Sequence, residues 1–215
     1  MDEKTREKVN FDRGFLSEKV KYIAGVDEVG RGPLAGPVVC CAVIMPIFSD
    51  ETIDGVDDSK KLSAKKREFL AEEIKKKAVC YKICRVENDE IDRINILEAT
   101  KKCMKACVEG LEVKPDLVIT DALEIDVSVP QKDVIKGDAT SYTVGAASIV
   151  AKVYRDKLMD EYDLIYPAYG FKNNKGYGTK AHTDALKETG YCPIHRKTFI
   201  KNFSASAAKE PPSDF

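Results

Sequence analysis

Residues 38–45, VVCCAVIM, are apolar at every position, and Pro46 ends the run. Eight apolar residues fall far short of the roughly 18 that a membrane span requires. A run of this length, stopped by a residue that cannot donate to a ladder, reads as a buried strand. A second apolar run, residues 22–26, comes just before it. The turn between them is rich in Gly and Pro and short enough to make the two an antiparallel pair.

Residues 79–86 read as a third strand. Ser63 is placed to cap a helix running to about Ala78. Asn88 is placed to cap the next, in which Ile91, Ile94, Leu97, Met104, Val108 and Leu111 keep helical spacing up to Pro115. Short strands follow at 117–120 and 134–136. Val144, Ala147, Ala151, Tyr154 and Leu158 then mark a helix with a small-residue face, suited to close packing on a sheet. Residues 166–180 read as loop, and a last helix spans 183–189, ended by Gly190. Three antiparallel strands followed by helices alternating with strands give a mixed α/β sheet flanked by helices. We expect one domain over 21–203, with a small helical and loop segment from about 165, a polar arm or short helix over 1–20, and a disordered tail over 204–215.

The chain has 215 residues, 43% hydrophobic and 33% charged, which suits a globular protein with a full core. Its charged start, MDEKTREKVNFDRG, has no apolar segment of a secretory signal. Seven irregularly spaced cysteines point to free thiols in a reducing cytoplasm. The net charge is only −1. Residues 172–201 nevertheless carry Lys172, Lys175, Lys180, Lys187, Arg196, Lys197 and Lys201 against Asp184 and Glu188. That surplus is either a phosphate-binding face or a solvated basic surface.

Acids stand at three separate strand ends or just beyond: Asp27 with Glu28, Asp121, and Asp138. Residues far apart in sequence can converge in this way at one sheet edge. Clustered carboxylates raise each other's pKa, and a hard divalent cation with oxygen ligands removes that cost. Taken singly, each acid also reads as a cap or turn residue.

VDEVGRGPLAGPVV, DDSKKLS, EIDRINILEAT, IKGDATSYTVGAASIVAKVYRD, KGYGTKAH and PIHRKTF, in this order, resemble ribonuclease HII over roughly residues 20–200. The resemblance implies a ribonuclease H fold. It also implies Mg²⁺- or Mn²⁺-dependent cleavage of RNA in RNA–DNA hybrids, or at ribonucleotides embedded in duplex DNA. It marks Asp27, Glu28, Asp121 and Asp138 as the metal-binding catalytic acids, and Gly30, Arg31, Gly32, Lys60 and Tyr177 as nucleic-acid contacts. The chain departs from the pattern at Val29, where Ala is common, at Ala122, where Gly is usual, and at Asn174, where a His is frequent. Arg31 favours ribonuclease HII over ribonuclease HIII.

Physics fits these roles. Glycines on both sides of Arg31 let backbone approach a sugar closely, and backbone groups there can sense a 2′-hydroxyl. Lys60 can neutralise a phosphate, and Tyr177, between glycines, is presented rather than buried. Cys80/Cys84 and Cys103/Cys107, spaced i, i+4, read as core packing rather than zinc ligands. His182 and His195 lie apart with no adjacent thiol, so histidine-based nucleophilic catalysis carries little weight. No nucleotide-cofactor motif is present. The expected protein is thus a cytoplasmic monomer with no membrane contact. Its rivals are another acid-cluster nuclease and a non-catalytic hybrid-binding protein.

Overall fold

A computed structural model describes residues 1–48, 52–57 and 59–203. In chain order the elements are α1 (Glu3–Arg13), β1 (Ile23–Val29), β2 (Val38–Ile44), α2 (Ala64–Lys77), β3 (Cys80–Val86), α3 (Asn88–Ile94), α4 (Ile96–Glu109), β4 (Leu117–Asp121), β5 (Gln131–Val134), α5 (Gly137–Thr140), α6 (Tyr142–Ile165), α7 (Phe171–Asn174) and α8 (Lys180–Thr189). The sheet order is β3-β2-β1-β4-β5. β1, β2 and β3 pair antiparallel, as expected. β4 then joins β1 in parallel, because the helices between β3 and β4 carry the chain back across one face, and β5 pairs with β4 in parallel at the edge.

The period of two along each strand divides the core. Ile23, Val39, Cys41 and Val43 pack on the face covered by α6, with Val144, Ala147 and Ala151. Ala24, Val26, Cys40, Ala42 and Ile44 pack against α4, with Ala99, Cys103, Met104 and Cys107. Both faces of β2 are therefore buried, which is why its sequence does not alternate. The small-residue face of α6 is matched by Gly25 in β1. A Cβ there would stand 2.1 Å from the Thr143 carbonyl carbon and 2.3 Å from the Val144 nitrogen. A third cluster of Ala35, Met159, Tyr169, Phe171, Leu186 and Ile194 joins the C-terminal segment to the rest.

Several elements differ from the sequence-based reading. The helix expected to run from Asn88 to Leu111 is broken at Asn95, which takes a left-handed φ of 70° and caps α4 by accepting from the Leu97 and Glu98 amides. Helical spacing continues across the break because both pieces pack on one sheet face. Asn88 does not cap α3; its side-chain amide donates to the Pro193 and His195 carbonyls. The strand expected at 134–136 lies at Gln131–Val134, where pairing with β4 is available. Residues 166–180 are not all loop but include α7, and the last helix starts earlier, at Lys180, capped by Thr179. α1 is a docked helix: Lys8, Val9 and Asp12 are buried against the core. The expected tail, 204–215, lies outside the described residues. No described helix is long and apolar enough to cross a membrane.

Candidate active site

β1 extends through Val29, so Asp27 and Glu28 lie inside the strand and not at its exit. Ladder partners Cys41 and Cys40 hold them there. Alternation sends Asp27 toward α6 and Glu28 toward the opposite face. Asp27 is 6% exposed. Its carboxylate accepts from the Glu28 amide at 2.8 Å and lies against Ser148 of α6. Burial, then the neighbouring charge of Glu28 and that of Asp121, push its carboxyl well above the usual range. Glu28 is also raised, chiefly by burial, although Arg31 opposes the shift from 3.5 Å.

The parallel register aligns Val26 with Thr120, which puts Asp121 beside Asp27. Asp121 Oδ1 accepts from the Gly137 amide at 2.8 Å, tying β4 to the short α5 that carries Asp138. Asp138 therefore sits on a helical turn four residues past β5, not directly at a strand exit. A methyl group at Gly137 would lie only 3.2 Å from the Asp121 Cα. Lys8 of α1 donates to the Asp138 carbonyl at 2.8 Å. Lys60, Lys61 and Lys136 line one open cleft with Asp121 and Asp138. Ala122 adopts a left-handed φ of 51°, a backbone that Gly would take without strain.

Asp27, Glu28 and Asp121 thus feel one another's charge at the β1/β4 end of the sheet, and Asp138 shares a cleft with Asp121 that Lys60, Lys61 and Lys136 also line. Among the described residues no three His, Cys, Asp or Glu side chains already stand in metal-ligand geometry. Their donor chemistry nevertheless suits a hard divalent cation. All are carboxylates, and Asp27 is held in a charge environment that it can occupy as an anion only at a cost. Such ions keep several waters and need few protein ligands.

Gly30 takes a φ of 92°, and a Cβ there would meet Arg155 Nε at 2.2 Å. Arg31 keeps 44% of its side chain exposed. Gly32 is different: a Cβ there would meet only Tyr177 Cε1, at 3.6 Å. The Gly-Arg-Gly turn and Tyr177 are therefore neighbours, and the Tyr177 ring is exposed. Asn174, in place of the frequent His, braces this loop by donating to the Tyr169 carbonyl at 2.7 Å and accepting from the Gly176 amide at 2.8 Å.

The basic segment is not one continuous face. Arg196 is fully buried and Lys175 pairs with Asp160, whereas Lys172, Lys180, Lys187, Lys197 and Lys201 are exposed, Lys180 in an ion pair with Asp184. Nor are the histidines apart. His182 Nε2 lies 3.0 Å from His195 Nε2, and Cys192 Sγ lies 3.2 Å from His195 Nδ1. Burial pushes that thiol up to about 12, so the cluster is no nucleophile. The sequence reading missed Ser148, Lys136, Arg155 and the histidine pair. Their only sequence trace was their place inside motif blocks. All seven cysteines are free, and Cys40, Cys103 and Cys107 pack between β2 and α4.

Residues 24–202 match the family described as ribonuclease HII. A ribonuclease HII of Ruminiclostridium cellulolyticum is 50% identical over 202 residues, spanning 94% of this chain and 78% of that protein. One of Enterococcus faecalis is 52% identical over 194 residues, 90% of this chain and 75% of its own length. The solved ribonuclease H2 of Pyrococcus horikoshii is 26% identical with a TM-score of 0.72, covering 85% of this chain and 97% of that one.

Proposed function

The chain belongs to the ribonuclease HII family and is a ribonuclease H endonuclease; from that premise we propose that it cuts at ribonucleotides paired with DNA, including single ones embedded in duplex DNA, through its four clustered acids. The observation that carries this reading is the placement of Asp27, Glu28, Asp121 and Asp138 at one sheet end, beside a Gly-Arg-Gly turn and an exposed tyrosine.

Asp27, Glu28, Asp121 and Asp138 would hold Mg²⁺ or Mn²⁺. When bound, two such ions supply activation of water on one side of the phosphodiester and charge stabilisation of the leaving oxygen on the other. The chain's own groups do the rest. The Asp121–Gly137 hydrogen bond fixes two acids relative to each other. Arg31 steers Glu28. Lys60 faces the cleft as a phosphate contact. The Gly30–Gly32 backbone reads the 2′-hydroxyl, and the Tyr177 ring packs on the next sugar, where a deoxyribose fits best. In-line attack by water then leaves a 5′-phosphate and a 3′-hydroxyl, with the cut on the 5′ side of the ribonucleotide. Residues 21–203 act as one catalytic domain in this reading, and the free thiols fit a cytoplasmic location.

The test is a duplex with one ribonucleotide, incubated with and without Mg²⁺, with the cut mapped at nucleotide resolution. Divalent-dependent cleavage 5′ of the ribonucleotide is expected. Equal cutting of an all-DNA duplex, or cleavage in chelator, would overturn it.

A further inference from the structure

The turn from Gly30 to Pro37 is held from behind by two arginines. Arg196 donates from Nη2 to the Gly30 carbonyl (2.6 Å), from Nη1 to Arg31 (2.8 Å) and from Nε to Gly36 (3.0 Å). Arg155, on α6, donates from Nε to Pro37 (3.0 Å), from Nη2 to Ala35 (3.1 Å) and from Nη1 to the Lys175 carbonyl (2.9 Å). Both are 0% exposed. Burying a guanidinium is costly unless its hydrogens are satisfied, and here these bonds all go to backbone carbonyls. Such a fork fixes the path of a chain, which a lysine cannot do.

His195, next to Arg196, reaches the other side of the site. His195 Nδ1 accepts from the Cys192 amide at 3.0 Å, so its proton sits on Nε2. That Nε2–H donates to His182 Nε2 at 3.0 Å. His182 therefore carries its proton on Nδ1, which donates to the Tyr177 carbonyl at 2.9 Å. This pair of neutral tautomers satisfies the three contacts just named, and leaves the 3.3 Å approach of His195 Nδ1 to the Cys192 carbonyl without a hydrogen bond. The rings of Tyr169 and Phe171 enclose both imidazoles, and burial lowers the pKa of each. Backbone bonds tie the same parts together: the Leu34 amide donates to Gly176, and the Arg196 amide to Leu34, each at 2.8 Å. One dipeptide thus grips the 2′-hydroxyl-reading turn with one side chain and, through His182, the tyrosine loop with the other.

We propose that Arg196, directly, and His195, acting through His182, are positioning residues that hold the Gly30–Gly32 turn and Tyr177 at one separation, and that this separation sets the preference for a ribonucleotide followed by a deoxyribonucleotide. The inference rests on the junction reading above.

The experiment measures kcat and KM on two substrates, a single embedded ribonucleotide and a continuous RNA strand paired with DNA. The proteins are wild type, Tyr177→Ala, His195→Leu, His195→Gln and the double variant His195→Leu/Tyr177→Ala. His195→Leu removes the donor to His182. It should lower junction kcat about tenfold, the size of one hydrogen bond's net contribution, with little change in KM or in the continuous-strand rate. His195→Gln, whose Nε2–H still reaches His182, should restore most of the loss. The double variant should show no lower junction-to-continuous ratio than Tyr177→Ala alone. Equal losses on both substrates, or an unchanged ratio in His195→Leu, overturns the inference. If His195→Leu does not fold, His182→Asn takes its place: it keeps a donor for the Tyr177 carbonyl but loses the link to His195, and the same fall in ratio is expected. A wild type with no junction preference removes the junction reading and this inference together. A preference that Tyr177→Ala abolishes and His195→Leu leaves intact removes only the inference.

Discussion

Gly32→Ala separates a glycine kept for substrate from a glycine kept for the fold. The added methyl would meet only Tyr177 Cε1, at 3.6 Å, an ordinary contact, and Gly32 has no left-handed φ. The fold therefore does not require glycine at this position. Replacing it restricts the unfolded chain and should stabilise by about 0.4–1 kcal/mol, or raise Tm by about 1–4 °C for a chain of this length. Activity should move the other way. If a sugar approaches the Gly30–Gly32 backbone within hydrogen-bond reach, the methyl displaces it. Losing that contact costs about 1–3 kcal/mol, roughly 10- to 100-fold in kcat/KM. The assay pairs thermal unfolding with cleavage of a single-ribonucleotide duplex. Gly30→Ala is the contrast, since its φ of 92° and the 2.2 Å approach to Arg155 Nε predict losses of both stability and activity. Wild-type cleavage by Gly32→Ala would refute close backbone approach at this residue, and a large fall in its Tm would refute the packing argument.

Gly25→Ala should do damage at a distance, because its methyl would stand 2.1–2.4 Å from α6 backbone at Thr143 and Val144. We expect a loss of about 1–3 kcal/mol in denaturant titration and a fall of up to about 100-fold in kcat, since α6 carries Ser148 and directly follows Asp138. Asp27→Asn should abolish cleavage yet raise Tm in chelator at neutral pH, because burial and neighbouring acids disfavour its charge; it should also weaken stabilisation by added Mg²⁺, and full cleavage at saturating Mg²⁺ would remove Asp27 from the site. Asp12 is fully buried, with Oδ1 unpartnered and its carboxyl raised to about 6. A raised folded-state pKa means that its contribution is fully present below the unfolded value near 3.8 and is lost as pH rises through about 6. Asp12→Asn should therefore gain on wild type by up to about 3 kcal/mol between pH 4 and 7, and a constant difference in unfolding free energy across that range would refute the assignment.

The type of most elements was legible in the residues. Eight apolar positions ended by Pro46 specify a buried strand, Ser63 is a helix cap by its chemistry, and Ala147 with Ala151 mark a close-packed helix face. The four acids and the Gly-Arg-Gly turn proposed as the site come from blocks of motif, which fix residue types. What the residues left open is which groups meet. Local periodicity reports only which face is buried, so it ran straight through the break at Asn95 and ended β1 before Asp27. Arg196 sits in a basic stretch that suggests phosphate, yet it bonds the Gly30 carbonyl 166 residues away. His182 and His195 acquire their meaning from each other and from Tyr177. Such pairings depend on the parallel joining of β4 to β1 and on how closely α6 approaches at Gly25. Both arise when the whole sheet assembles, and no local window of sequence contains them.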